Sequence, residues 1–239
     1  MTLGTCPELG KPVGQDPLVC RFLRGVHRLR PPKSRQFLTW EVSSVLSYIR
    51  SWGETKDLSL KRLILKTAFL VALVCFKRLA DSCNMNMKEG FWQLNMLGFT
   101  CQPLGYGKTE FHNPATPLHI EPFLEDRRLC LVYHLVRLDR RFSKLRPAKE
   151  TKFWLSSKAP HGPVSATTIS RWLTEVIRGS GALSGQARDV RSAGSSIAIQ
   201  AGMVIRKVMK AADWHRISTM QRHYFKPQKL ETVSDILRV

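Results

Sequence analysis

The sequence predicts a mainly helical protein carrying a small antiparallel β-sheet. Long stretches repeat their apolar residues every three to four positions, and two short mixed runs punctuated by glycine break that pattern. With 239 residues, 43% of them hydrophobic, the chain is long enough for one large domain, or for one domain with a smaller appendage.

The elements follow in order. Residues 1–40 are rich in Pro, Gly and Arg, and "RFLRGVHRLRPPKSR" (Arg21 to Arg35) reads as the end of a helix stopped by Pro31 and Pro32. One helix cannot bury its own apolar face, so this segment reads as the remnant of a helical region and its linker. Trp40, Val42, Val45, Leu46, Ile49 and Trp52 then recur at helical spacing up to Gly53. Ser59 to Arg78, "SLKRLILKTAFLVALVCFKR", predicts a long and mostly buried helix. "FWQLNM" and "GFTCQPL", broken by Gly98 and by Gly105 and Gly107, predict the strands of the sheet. Arg127 to Phe142 has helical spacing again, "FWLSS" (Phe153 to Ser157) reads as a lone strand, and Ser165 is placed to cap a helix running to Arg178. Three short helices are predicted at Asp189 to Ala201, Ile205 to Ala212 and Ser218 to Phe225. No internal repeat or low-complexity tract interrupts this order. The expected division is an N-terminal remnant over 1–55, a main domain over 56–228 and a tail over 229–239.

Charge gives the first functional signal. Lys and Arg number 38 against 18 Asp and Glu, a formal net charge of +20. Such an excess favours a polyanionic partner, nucleic acid above all. The six cysteines (Cys6, Cys20, Cys75, Cys83, Cys101, Cys130) form no C-x-x-C pair, which argues against a zinc or disulfide framework. No secretory signal pattern opens the sequence, and the apolar run Leu63 to Phe76 is interrupted by Lys66 and too short to span a bilayer. The expectation is a reducing, intracellular and nuclear setting with no membrane contact.

The chemistry concentrates in "ARDVRSAGSSIAIQAGMVIRKVMKAADWHRISTMQRHYFKP" (Ala187 to Pro227). Arg188 and Arg191 stand three apart at the start of a helix, and Trp214 and Tyr224 follow across two short helices. This arrangement resembles the C-terminal half of the tyrosine recombinase (phage integrase) family, whose motif is His-x-x-Arg, then His or Trp, then Tyr about ten residues on. Arg191, Trp214 and Tyr224 match its last three positions. Upstream, "LKTAFLVALVCFKRLADS" resembles the family's first-arginine helix, with Arg78 as that arginine and Asp81 as its acidic follower. Lys108 lies where the family carries a hairpin lysine. "FLRGVHRLRPP", "SRWLTEVI", "AADW" and "RHYFKP" resemble the recombinases of DIRS-type retroelements in particular.

The resemblance implies the recombinase catalytic-domain fold, duplex DNA as partner, a tetramer on DNA, and strand cleavage without metal or cofactor. The chemistry explains the residue types. A tyrosine oxygen attacks phosphorus in line, and the phosphotyrosine bond conserves energy for religation. Two guanidiniums, Arg78 and Arg191, suit the charge that builds on the equatorial oxygens. Tyrosine ordinarily ionises near pH 10, so a cationic pocket must help it lose its proton; the resemblance gives Lys108 the protonation of the departing 5′ oxygen. Trp214 packs against the site and offers an indole N–H. One position departs from the family: its histidine is Arg188 here, and arginine is not a base at ordinary pH.

Each residue also has a plainer reading. A lone tyrosine is more often a packing residue, Arg78 and Lys108 singly are surface charges, Asp81 is a structural partner for Arg78, and Trp214 is core. His215 and His223 have no cysteine or carboxylate at ligand spacing, so no metal site is expected. Lys77, Arg171, Arg206, Lys207, Lys210, Arg216 and Arg222 read singly as solvated charges and together as the lining of a DNA channel. The alternatives to a strand-exchange enzyme are a catalytically impaired, transposon-derived DNA-binding protein and an RNA-binding structural protein. The apolar pattern of Leu230 to Val239 suggests a tail that docks on a neighbouring subunit.

Overall fold

The segment from Ser59 onward forms the helix about which the larger unit is built. The computed structural model describes residues 12–30, 40–88, 91–101 and 117–226; of Arg222 it describes the backbone alone. By contacts the chain divides into two units, 1–36 and 37–239.

In the first unit, α1 (Pro17–Leu29) starts with Pro at its first position, and the Asp16 carboxylate accepts from the N–H groups of Leu18 (2.8 Å) and Val19 (3.1 Å). Five of its apolar residues, Leu18, Phe22, Leu23, Val26 and Leu29, are exposed, while Val19 is partly covered. This is the outcome expected of a single helix with an apolar face.

In the second unit, α2 (Val42–Ser51) buries Val42, Val45 and Ile49 in the main core and packs on α6 (Ala166–Gly179). By contacts, α2 thus falls within the larger unit. The apolar face of α2 is satisfied by the larger core, so α2 does not belong to the N-terminal segment.

The central helix is α3 (Leu60–Val74), capped by the Ser59 hydroxyl, which accepts from the Arg62 N–H at 3.3 Å. Every residue from Leu63 to Leu73 is buried, and α5 (Leu131–Phe142), α6 and α7 (Ala187–Gln200) pack around it. The helix stops at Val74, four residues before the predicted end. Phe76 adopts a left-handed backbone (φ 51°), which turns the chain into the short helix α4 (Leu79–Cys83), missed in the sequence.

The predicted strands form β1 (Trp92–Asn95) and β2 (Gly98–Cys101), joined by a tight turn in which the Asn95 side chain accepts from the N–H groups of Leu97 and Gly98. A third strand, β3 (Leu118–Ile120), pairs antiparallel with β2, with Phe99 opposite Ile120, and completes the order β1-β2-β3. The segment expected as a lone strand, Phe153 to Ser157, makes only an isolated bridge, Leu155 to Pro163. Phe153, Trp154 and Leu155 are all buried, so this is apolar filling beneath the sheet without the alternation of a half-exposed strand.

The Ser165 hydroxyl accepts from the Thr168 N–H and caps α6, as predicted. The remaining helices are α7, α8 (Ile205–Ala211) and α9 (Ile217–His223), each within two residues of expectation. Between α7 and α3 the backbones nearly touch: a Cβ at Gly194 would lie 2.0 Å from the Leu73 carbonyl oxygen. No described helix is long and apolar enough to cross a membrane.

Candidate active site

A second, smaller apolar cluster holds Phe76, Val208, Met209, Ala212, Trp214 and Met220, with Tyr224 and Phe225 packed against it. It forms where the turn after α3, the face of α7 and the helices α8 and α9 converge, and it is the platform on which the predicted residues meet.

Arg191 is the centre of that convergence. It projects from the second turn of α7 and is only 8% exposed. Its Nε–H donates to the Phe76 carbonyl at 2.5 Å, and one terminal nitrogen donates to the Ala212 carbonyl. The Phe76 carbonyl belongs to a residue in the left-handed region, and the Ala212 carbonyl directly precedes another, Asp213 (φ 53°). Such residues cost about 1–2 kcal/mol in backbone energy, and the Arg191 hydrogen bonds to Phe76 and Ala212 tie down both turns. Two of the five guanidinium donors are used in this way, leaving the others with no protein partner among the described residues. Burial pulls the Arg191 guanidinium below the usual arginine range, and Arg78 nearby adds to this, while Tyr224, Asp81 and Asp213 oppose it.

Over this guanidinium lie two rings. Its central carbon is 4.8 Å from the Tyr224 centroid and 4.9 Å from that of Trp214, and the two rings are 4.5 Å apart at 31°. These are cation–π distances. Trp214 is buried, yet its indole N–H has no hydrogen-bond partner among the described residues. A buried donor left unpaired costs about 1–3 kcal/mol, and a phosphate oxygen is the kind of acceptor that would relieve it.

Tyr224 stands one residue past α9 and is half-buried. The Ser196 hydroxyl fastens its segment to α7: it donates to the Tyr224 carbonyl (3.2 Å) and accepts from the Lys226 N–H (2.8 Å). The Lys226 ammonium lies 3.5 Å from the buried Asp189 carboxylate. Ser196, Asp189 and Lys226 were not singled out in the sequence, because a serine pair and an isolated charge on a helix carry no spacing signal.

Arg78 caps α4; its N–H donates to the Asp81 carboxylate at 3.3 Å, and its guanidinium is 4.0 Å from the same group. It is about one-third exposed and close enough for its charge to act on Arg191. Arg188, on the first turn of α7, is exposed where Arg191 is buried, so the two arginines share an element and not an environment.

Lys77 corrects an expectation. It is 2% exposed and forms an ion pair with Asp213, so it is not a solvated charge lining a channel. The pair ties the turn after α3 to the turn after α8, the same two turns whose carbonyls hold Arg191. Asp213 is the missed residue, and the only sequence signal for it was its place beside Trp214. Arg171, Arg206, Lys207, Lys210 and Arg216 are exposed as expected, although Lys207 and Lys210 line an apolar groove with Val74, Ile120 and Met203. The Arg222 side chain, Lys108 and the tail after residue 228 lie outside the described residues. Among the described residues no group of three or more His, Cys, Asp or Glu is arranged to hold a metal ion. His215 and His223 are exposed.

No family model and no curated protein matches the sequence. Solved structures do match the fold. The chain is similar to the XerA recombinase (TM-score 0.58, 13% identity) over 89% of this chain and 67% of that one. It is similar to the XerH site-specific recombinase bound to a palindromic difH substrate in a post-cleavage complex (TM-score 0.58, 14% identity, 82% of this chain). It spans about half of the XerH chain, 51%. A lambda integrase dimer bound to a COC′ core site matches with a TM-score of 0.53 and 17% identity, over 90% of this chain and 72% of the other. The mainly helical unit with its three-stranded antiparallel sheet therefore has the architecture of tyrosine recombinase catalytic domains.

Proposed function

We propose that this protein binds duplex DNA and cleaves and rejoins its strands through Tyr224. The observation that carries the proposal is the buried Arg191 guanidinium, with donors to spare, lying beneath the rings of Tyr224 and Trp214. A buried cation with free donors beside a tyrosine and an unpaired indole N–H suits a phosphodiester.

In the proposed reaction the Tyr224 oxygen attacks phosphorus, giving up its proton as the new O–P bond forms. The bond from phosphorus to the 5′ oxygen breaks, and that oxygen takes a proton. The DNA 3′ end is left on Tyr224 as a phosphotyrosine, and the reverse attack by a 5′ hydroxyl rejoins the strand. Arg191 and Arg78 neutralise the equatorial oxygens, and Trp214 donates its indole N–H to one of them. Lys108 is proposed as the acid for the 5′ oxygen on the resemblance alone.

The wider reading is site-specific recombination or integration of a mobile element, of the DIRS-type retroelement kind, by a tetramer on DNA in the nucleus. The test is a duplex nicked beside the cleaved phosphate, from which the released fragment diffuses away. A covalent protein–DNA adduct that disappears in Tyr224→Phe is expected; an adduct that survives that change would overturn the assignment.

Arg188 favours a second reading. It occupies the family's histidine position, is exposed and supplies no base, which suits a DNA-binding protein whose cleavage is impaired. That reading expects tight duplex binding with no adduct.

A further inference from the structure

Three cations of α5, a fourth just past its end and a fifth on the loop before α3 line a single cavity of about 460 Å³: Arg137, Arg140, Arg141, Lys144 and Lys56. Ser143 completes the lining, and no carboxylate takes part. The three on α5 fall at positions i, i+3 and i+4, so like charges sit on adjacent turns, an arrangement that opposes helix formation in isolation. Helix-dipole stabilisation accounts for cations in the last turn, but not for Arg137 one turn earlier or for Lys56 on another element.

Arg141 has a structural task, since its guanidinium donates to the carbonyls of Leu58 (2.6 Å) and Lys56 (3.1 Å) and so holds the loop against the helix. Arg137 lies beside the Tyr133 ring at 5.9 Å. Lys56, Arg140 and Lys144 are exposed and have no carboxylate partner among the described residues. Asp139, the nearest acid on α5, does not neutralise them: one of its oxygens is buried and unpaired, and the cation acting on it is Arg146. The result is a concave cluster of positive charge with no internal counter-charge, built on elements that contribute nothing to the Tyr224 site.

We propose that this cavity is a second phosphate-binding site, engaging the sugar–phosphate backbone of duplex DNA away from the tyrosine centre. The identity of the polymer rests on the function proposed above; the anion chemistry rests on the cavity. Lysine and arginine side chains at helical spacing match a row of phosphates and carry no base selectivity.

Salt dependence tests it directly, because each phosphate contact adds about 0.9 to the slope of log affinity against log salt for duplex DNA. The full chain and the Arg140→Gln/Lys144→Gln variant are titrated with one 30-bp duplex across a salt series. A second variant, Lys149→Gln/Arg178→Gln, removes the same charge from exposed positions outside the cavity. The proposal expects the slope to fall by roughly 1 to 2 in the cavity variant and by less than half of that in the control. An unchanged slope, or an equal fall in both variants, overturns it, and it does so even if inorganic tripolyphosphate binds the cavity. Adduct formation on the nicked duplex is scored in parallel. A parent chain that forms no adduct but shows the cavity-dependent slope refutes the tyrosine chemistry and leaves the second site standing.

Discussion

Arg191 donates to the carbonyl of Phe76, 115 positions earlier in the chain, while its central carbon lies 4.8 Å from the ring of Tyr224. One side chain therefore both closes the fold and presents charge to the candidate nucleophile. Arg191→Ala is expected to do two kinds of damage. Each orphaned carbonyl costs about 1–3 kcal/mol, which denaturant unfolding measures. Adduct formation should also fall by roughly 100-fold or more, as when one preorganised charge-stabilising donor is removed. A variant that melts early but still forms adduct at full rate would confine Arg191 to structure.

The Lys77–Asp213 pair is expected to behave as a buried ion pair. Lys77→Met alone leaves a carboxylate without its cation and should cost about 3–5 kcal/mol. Lys77→Met combined with Asp213→Asn should recover much of that loss in a double-mutant cycle. Simple additivity of the two changes would show that the pair is not coupled.

Arg188→His restores an acid–base group at an exposed position with no described structural partner. Stability should change by less than about 0.5 kcal/mol, as for other surface substitutions, while cleavage of the nicked duplex should rise by roughly 100-fold. A fall in cleavage would show instead that Arg188 has been recruited to the phosphate.

Two buried bases predict the pH profile of stability. Burial lowers His134 to about 4, with its Nδ1–H donating to Cys130 O and Nε2 accepting from the Thr55 hydroxyl, and lowers Lys66 to about 8. In both cases the unfolded chain binds the proton more tightly, so stability falls as pH drops from the unfolded pKa towards the folded one. The loss runs from about 6.5 to 4 for His134 and from about 10.5 to 8 for Lys66. Lys66→Met should flatten the upper limb and, because the Lys66 charge also helps to hold His134 down, shrink the lower one without removing it; chemical denaturation across pH measures both.

Much of the fold was legible because helical period and capping are local properties. Ser59 and Ser165 cap where a hydroxyl before an apolar run should, and α7, α8 and α9 begin and end close to expectation. The end of α3 was not legible. Its apolar spacing continues through Phe76, and the left-handed turn of that residue, whose carbonyl accepts from Arg191, involves a partner 115 positions away that local pattern does not reveal. The same limit hid Asp213 and Ser196, whose partners are 136 and 28 positions away. Tyr224, Trp214 and Arg191 could be chosen from order and spacing. The burial of Lys77 could not, since a lysine following an apolar helix looks solvated until its partner is known.

The clamp formed by Arg191 with the Phe76 and Ala212 carbonyls has a consequence for how the chain matures. Its three parts come from distant stretches, so the pocket cannot form from any local piece, and contacts of such sequence separation carry a large loop-closure cost during folding. Under the function proposed above, a nascent or partly unfolded copy would carry its charge without an assembled centre, so strand cleavage would be withheld until the domain has closed.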